Sequence, residues 1–164
     1  MRNTYIFVFL FFVICSSCNN SGKDATSRNN LIVSDQIEFY RLNDKMFDLF
    51  SEDASEEMCT NYYDSLTAFL RDALTKYDTI PPFDKDPALD VAMKGFLTTY
   101  QQLVFNEYNE LLNIVVKPRY LLEASDLKIL DSLYLVIDEK QNEIDQTFIA
   151  EQESFCKKHK VQFE

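Results

Sequence analysis

The feature that most limits the possible folds of this chain is its shortage of glycine. The 164 residues contain two glycines, Gly22 and Gly95. Hairpin turns, phosphate-binding loops and dinucleotide-binding folds need glycine where φ is positive or where the backbone approaches a ligand closely. A domain whose single glycine, Gly95, lies inside a helical pattern therefore indicates long helices joined by few turns.

Two helices are predicted in the first half of the chain. Apolar residues recur three and four positions apart from about Ser34 to Asp53, which is the spacing that places them on one face of a helix. Asp53 and Glu56 form a capping-box-like pair that predicts the start of the second helix. That helix continues to Tyr77, and the Pro81-Pro82 pair prevents its further extension.

Two longer helices are predicted in the second half. Asp86 and Pro87 have the residue types of an N-cap and a first helical position, and Lys117-Pro118 ends the pattern. The fourth helix begins near Ser125 and closes with lysines after Phe155. Because no segment alternates as a strand would, the predicted fold is all-α, an antiparallel up-down-up-down four-helix bundle.

The N-terminus carries a bacterial lipoprotein signal. Met1-Arg2-Asn3 is a short, positively charged start, and an unbroken apolar run from Tyr5 to Ile14 follows it. This run is well short of the roughly 20 residues that span a bilayer. Ser16 and Ser17 precede Cys18, a pattern that resembles the lipobox, in which the cysteine receives diacylglycerol. The sequence therefore predicts lipidation at Cys18, with ordinary secretion or an uncleaved anchor as the alternatives.

The remaining chain divides into a tether and a domain. Residues 1–17 are predicted to be the signal peptide, residues 18–32 the lipidated cysteine with a flexible polar tether, and residues 33–164 the four-helix bundle. Asn19 differs from the aspartate that signals inner-membrane retention in enterobacterial lipoproteins. We therefore expect a lipid-anchored protein of the cell outer membrane, on the periplasmic face or at the cell surface.

The acidity of the chain bears on its partners. The formal net charge is −11. Nucleic-acid binding and docking on anionic lipid both need clustered lysine and arginine, so neither is predicted. The expected contacts are the membrane, through the lipid, and another envelope protein with a basic or neutral surface.

No catalytic centre, metal site or cofactor is predicted. The chain has no G-x-S-x-G motif, and His159 is the single histidine. One histidine cannot supply the ligands of a di-iron bundle or of a three-ligand zinc site. The place of His159 after the last core position predicts a solvated side chain. Cys59 and Cys156 would lie at opposite ends of the bundle, so both are predicted to be free thiols beside the core.

Two carboxylates fall where the helical pattern expects an apolar side chain. Glu107 interrupts the inner stripe of the third predicted helix, and Asp44 interrupts that of the first at a similar height. If both face inward, they can bind a cation or hold a raised pKa. Alternatively, each side chain rotates to a helix flank, pairs with a lysine or meets a tyrosine hydroxyl group.

Several segments between Tyr40 and Glu164 carry a resemblance to other proteins. They are YRLNDK at residues 40–45, AMKGFLTTY at 92–100, EYNELL at 107–112 with the later Lys117-Pro118, and FCKKH at 155–159. On these segments the chain resembles a family of uncharacterised bacterial outer-membrane or surface lipoproteins with a helical-bundle domain. The resemblance implies a lipid-anchored bundle with no assigned activity and no known catalytic residues.

These observations lead to one principal hypothesis and two others. The principal hypothesis is an outer-membrane lipoprotein whose bundle is a non-catalytic binding or envelope-structural module. The alternative is a carrier of a small ligand or cation near Asp44 and Glu107, and a hydrolase ranks third. A pocket of several hundred cubic ångströms between the helices would favour the carrier. A filled core with an exposed aromatic patch would favour a protein partner.

Overall fold

The computed structural model describes residues 4–51, 54–83 and 86–161, and it describes side chains from residue 24 onward. In this part of the chain the fold is an all-α helical bundle without strands, as predicted. A π-helical turn, Val104–Tyr108, joins two of the helices into one continuous rod, and a 3₁₀ turn, Arg119–Leu121, precedes the last helix. The α-helices are α1 (Thr4–Ser51), α2 (Glu56–Thr79), α3 (Ala88–Leu103), α4 (Asn109–Val115) and α5 (Ala124–His159).

Helix α1 packs on the bundle with a seven-residue repeat. Ala25, Ile32, Phe39 and Met46 follow one another at intervals of seven residues, and all four are fully buried. Such a repeat keeps one seam of a helix facing its neighbours. Asn29 is also buried on this helix. The prediction that a flexible tether extends to residue 32 is therefore wrong, because one apolar residue every seven positions continues the packed seam through an otherwise polar segment.

The predicted signal peptide and Cys18 lie outside the residues whose side chains are described. None of the helices in the described part of the chain is both long and apolar enough to cross a membrane.

Helices α2 and α5 begin at side-chain caps. Ser55 caps α2, and its side chain accepts a 3.3 Å hydrogen bond from the Met58 backbone nitrogen. Asp53, the predicted cap, lies outside the described residues. Helix α5 begins with a capping box in which Glu123 and Asp126 exchange side-chain and backbone hydrogen bonds. These caps satisfy backbone N–H groups that have no partner within the helix.

The helices surround one core. Helices α1 and α3 each pack against both α2 and α5. Asp35 on α1 lies 2.7 Å from Lys76 on α2, and Arg28 on α1 lies 2.9 Å from Asp90 on α3. These contacts are compatible with the up-down-up-down order, which stays a prediction.

Aromatic rings fill the middle of the core. The Phe96 ring of α3 lies 5.3 Å from the Phe39 ring of α1 and 5.4 Å from the Phe148 ring of α5, measured between centroids. Tyr100 lies against the same group, 4.3 Å from Phe39. These distances are typical of favourable ring packing. The cluster holds α1, α3 and α5 together at the level of the Asp145 side chain.

Candidate binding groove and polar core

The π-helical turn determines which side chains of the α3–α4 rod face the core. A π turn contains one more residue than an α turn, so the positions beyond it are rotated relative to an α-helical register. Tyr108 therefore takes the fully buried position that regular periodicity gives to Glu107. Glu107 lies at the flank, where its side chain is 16% exposed and forms an ion pair with Lys140 of α5. Of the alternatives that the sequence left open for Glu107, pairing with a lysine is the one found.

At the level of Tyr108, the inward polar residue of α1 is Asn43. Asp44 is exposed, so of the alternatives that the sequence left open for it, rotation away from the core is the one found. The buried seam passes through Asn43, one position earlier, whose side-chain oxygen accepts a 2.8 Å hydrogen bond from the Tyr108 hydroxyl group. Gln141 of α5 donates a hydrogen bond to the same hydroxyl group. The structure therefore does not bring Asp44 and Glu107 together as an inward carboxylate pair.

Asp145 is a core-facing carboxylate that the sequence analysis missed. One of its oxygens accepts hydrogen bonds of 2.8 Å from the Tyr40 hydroxyl group and 2.9 Å from the Tyr100 hydroxyl group. Burial, together with the adjacent Asp145 charge, raises the pKa of both tyrosines far above its ordinary value. The signal for this cluster was the presence of tyrosines in helix stripes, because a buried hydroxyl group needs a partner. The cluster joins α1, α3 and α5.

A second polar cluster closes the end of the bundle at the start of α3. Asp86 lies 2.9 Å from Lys158 and 3.0 Å from His159, both near the end of α5. These hydrogen bonds lower the pKa of Asp86. The His159 ring packs between Phe83 and Phe155, with centroid distances of 5.2 Å and 4.5 Å. The prediction of a solvated histidine is therefore wrong, because the loop before α3 folds over the end of α5.

The two cysteines whose side chains are described, Cys59 and Cys156, are free and buried, as predicted. Burial raises the pKa of both the Cys59 and the Cys156 thiol groups. A raised pKa decreases the reactive thiolate fraction. These thiol groups therefore have the environment of core residues.

A groove lies between α3 and α5 on the surface of the bundle. Its volume is about 650 Å³, within the range of ligand sites. Four buried apolar side chains form its floor, namely Phe96, Leu103, Ile144 and Phe148. The α3 wall carries small residues, namely Ala88, Ala92, Gly95 and Thr99. The groove therefore has an apolar base that a ligand can cover.

The charged side chains of the groove are mostly acidic. Glu143 and Glu151 stand on the α5 wall, and Glu107 with Lys140 closes one end. Lys140 is the one basic residue in the lining, and it is paired with Glu107. Within the described part of the chain, neither Glu143 nor Glu151 has an ion-pair partner. Two exposed carboxylates therefore remain available to a basic ligand.

Comparisons of this chain with protein-family models, with curated proteins and with solved structures gave no match.

Proposed function

We propose that this chain is a non-catalytic binding lipoprotein of the bacterial envelope, anchored through Cys18, and that it binds its ligand in the groove between α3 and α5. The anchor comes from the lipobox pattern at Ser16-Ser17-Cys18. The outer membrane is the proposed location, because Asn19 does not carry the retention signal.

The observation that carries the binding proposal is the groove itself. It combines a volume of about 650 Å³ with a floor of buried phenylalanine and aliphatic side chains and a rim of carboxylates. Covering the apolar atoms of the groove that are still exposed, those of Val91 above all, is favourable, at roughly 25 cal/mol per Å² of apolar surface. The polar core around Asp145 and Tyr108 is a less suitable ligand site, because its tyrosine hydroxyl groups already donate hydrogen bonds to Asp145 and Asn43 on neighbouring helices.

A small-ligand carrier is the second candidate function. The same volume supports it, since small-molecule sites occupy several hundred cubic ångströms. The location differs from the one expected from the sequence, because Asp44 does not line the groove, whereas Glu107 does.

The anchor is tested by membrane fractionation of cells that express Cys18→Ala or Cys15→Ala. Cys15→Ala is the matched control, because bulky residues precede Cys15 and make it a poor lipidation site. We expect Cys18→Ala to lose its acyl chains and leave the membrane fraction, while Cys15→Ala retains both. Membrane retention of unacylated Cys18→Ala would contradict the anchor.

The groove is tested by a photo-crosslinking side chain placed at Thr99 in intact cells. The same side chain at Thr98, which is exposed on α3 outside the groove, is the matched control. We expect one specific adduct from position 99 and none from position 98. Equal labelling from both positions, or none from either, would contradict binding in the groove.

A further inference from the structure

The shape of the groove indicates an elongated occupant. Its lining extends from Ala88 to Glu107 along one rod and from Lys140 to Glu151 along α5. At 1.5 Å per residue, these segments are about 28 Å and about 16 Å long. Gly95, Thr99, Glu143 and most of the other wall residues are exposed, so the groove is open to solvent along its length. A compact small molecule would leave much of it uncovered, whereas a helix lying along it keeps its own polar face in water.

The α3 wall permits the backbone of a helix to come close. A Cβ atom built on Gly95 would meet no atom within 4 Å, so the internal packing of this chain does not require glycine there. Glycine inside a helix costs about 1 kcal/mol relative to alanine. Val91, beside it in the groove, is 65% exposed although it is apolar. A docked apolar side-chain row would cover Val91 and use the space above Gly95.

The charges of the groove select a basic occupant. Glu143 and Glu151 lie two helical turns apart on the same face of α5. Lysine or arginine side chains spaced along one flank of a docked helix can reach both carboxylates. A second copy of this chain is disfavoured, because each copy carries a formal net charge of −11.

From shape and charge together, and building on the proposed binding function, we propose that the groove holds one amphipathic helix of a partner protein. Its apolar face covers Val91 and occupies the space above Gly95. Its lysine or arginine side chains pair with Glu143 and Glu151. This is helix-in-groove recognition, in which anchors at helical spacing enter an apolar groove.

The probe is a synthetic amphipathic peptide of about eighteen residues, long enough to follow the groove as a helix. It has leucine and alanine on one face and lysine on both flanks. A second peptide has glutamate in place of every lysine, and dodecyltrimethylammonium represents a small amphipathic cation. Binding to the lipid-free protein is followed by fluorescence anisotropy of labelled peptides at low and physiological salt.

We expect the lysine peptide to bind and the glutamate peptide not to bind. Gly95→Leu fills the groove and should weaken binding about tenfold or more, the equivalent of about 1.4 kcal/mol. Thr98→Leu, which places the same leucine side chain on the exposed face of α3 outside the groove, should leave binding unchanged. Glu143→Lys with Glu151→Lys should also weaken it, whereas Glu139→Lys with Glu153→Lys changes the net charge equally but lies outside the groove.

Several outcomes would overturn the helix proposal. One is no binding of the lysine peptide up to roughly 1 mM, an affinity of about −4 kcal/mol. Another is an affinity of the lysine peptide that Gly95→Leu does not change. A third is equal binding of the lysine and glutamate peptides. If dodecyltrimethylammonium binds with sensitivity to Gly95→Leu while the peptide does not, the occupant is a small amphipathic cation. In each of these cases a specific crosslink from position 99 would leave the proposed binding function standing.

Discussion

The Tyr108 hydroxyl group donates a 2.8 Å hydrogen bond to the side-chain oxygen of Asn43 in the buried centre of the bundle. The bond joins α1 to the π-helical turn, and Gln141 adds a donor from α5. A buried amide and a buried hydroxyl group each need a partner, so this contact fixes the positions of three helices relative to one another.

Removal of that hydroxyl group should destabilise the fold. Tyr108→Phe leaves buried polar groups on Asn43 and Gln141 without their partner, at a cost of about 1–3 kcal/mol in the free energy of unfolding. Tyr120→Phe is the matched control, because Tyr120 is 85% exposed, and it should cost less than about 0.5 kcal/mol. Urea denaturation measures both. Equal stabilities of the two variants would show that the Tyr108 bond does not contribute.

Alkaline pH should unfold the protein through its buried tyrosines. Burial and the Asp145 charge raise the pKa of Tyr40 and Tyr100 in the folded state, so the unfolded state releases these protons more readily. Their contribution to stability is complete below the ordinary tyrosine pKa of about 10 and decreases as the pH rises above it. Phenolate absorbance from these residues should therefore appear together with the loss of helical circular dichroism. Tyr120→Phe, which alters an exposed tyrosine, should leave this cooperative transition unchanged.

Acid should weaken the contact between Asp86 and the end of α5. Lys158 and His159 lower the pKa of Asp86 in the folded state. The stability from this carboxylate is present above its ordinary pKa of about 4 and is lost as the pH falls through the lower, folded-state pKa. Asp86→Asn should cost about 1–2 kcal/mol at pH 5, and the difference from wild type should shrink towards pH 2.

Asp131→Asn is the control for that experiment, because it alters an exposed carboxylate on α5. It should change the free energy of unfolding by less than about 0.5 kcal/mol. A difference between wild type and Asp86→Asn that stays constant from pH 5 to pH 2 would argue against the ion pair as its cause.

The segment of α1 around Ile32 should contribute to the stability of the fold as buried core residues do. Ile32 is fully buried, whereas Ile37 on the same helix is 64% exposed. Ile32→Ala should cost about 2–5 kcal/mol through lost burial and the cavity that remains. Ile37→Ala removes the same atoms from a solvated position and should cost less than about 0.5 kcal/mol. Denaturant titrations with similar midpoints for both variants would restore the tether prediction for this segment.

Gly95→Ala should stabilise the protein. The added methyl group meets no atom within 4 Å, and alanine is favoured over glycine inside a helix by about 1 kcal/mol. The melting temperature should rise, as measured by circular dichroism. A lower melting temperature would mean that the fold itself needs glycine at position 95, so that the space above Gly95 no longer supports a docked helix.

Periodicity and breakers predicted the helices well. The predicted stop at the Pro81-Pro82 pair and the predicted start at Asp86 lie within two residues of the observed ends of α2 and α3. The start of α1 was missed, because Ala25 and Ile32 are too far apart for a stripe of three- and four-residue steps. Whether Ala25 and Ile32 are buried depends on the neighbouring helices, and a local sequence pattern carries no information about those contacts.

The polar positions were harder to predict for a physical reason. Glu107 and Tyr108 are adjacent, and the sequence permits either to face inward. The π turn resolves the choice in favour of Tyr108, because burying an unpaired carboxylate costs far more than burying a hydroxyl group that finds Asn43. The groove depends on how two helices lie relative to each other, which no periodicity along one helix specifies.

The buried seam of α1 has a consequence for how far the protein can reach. Among the side chains that the structure describes, Ala25 is already packed, and it lies seven residues after Cys18. With a lipid on Cys18, even full extension of the seven residues that lead to Ala25 would let the bundle rise only about 25 Å above the bilayer. Because Arg28 contacts Asp90, the Ala88 end of the groove is the end nearer to Cys18. Glu107 lies at the far end. A partner helix would then meet the groove close to the membrane surface, where only other envelope proteins or segments leaving the bilayer are within range.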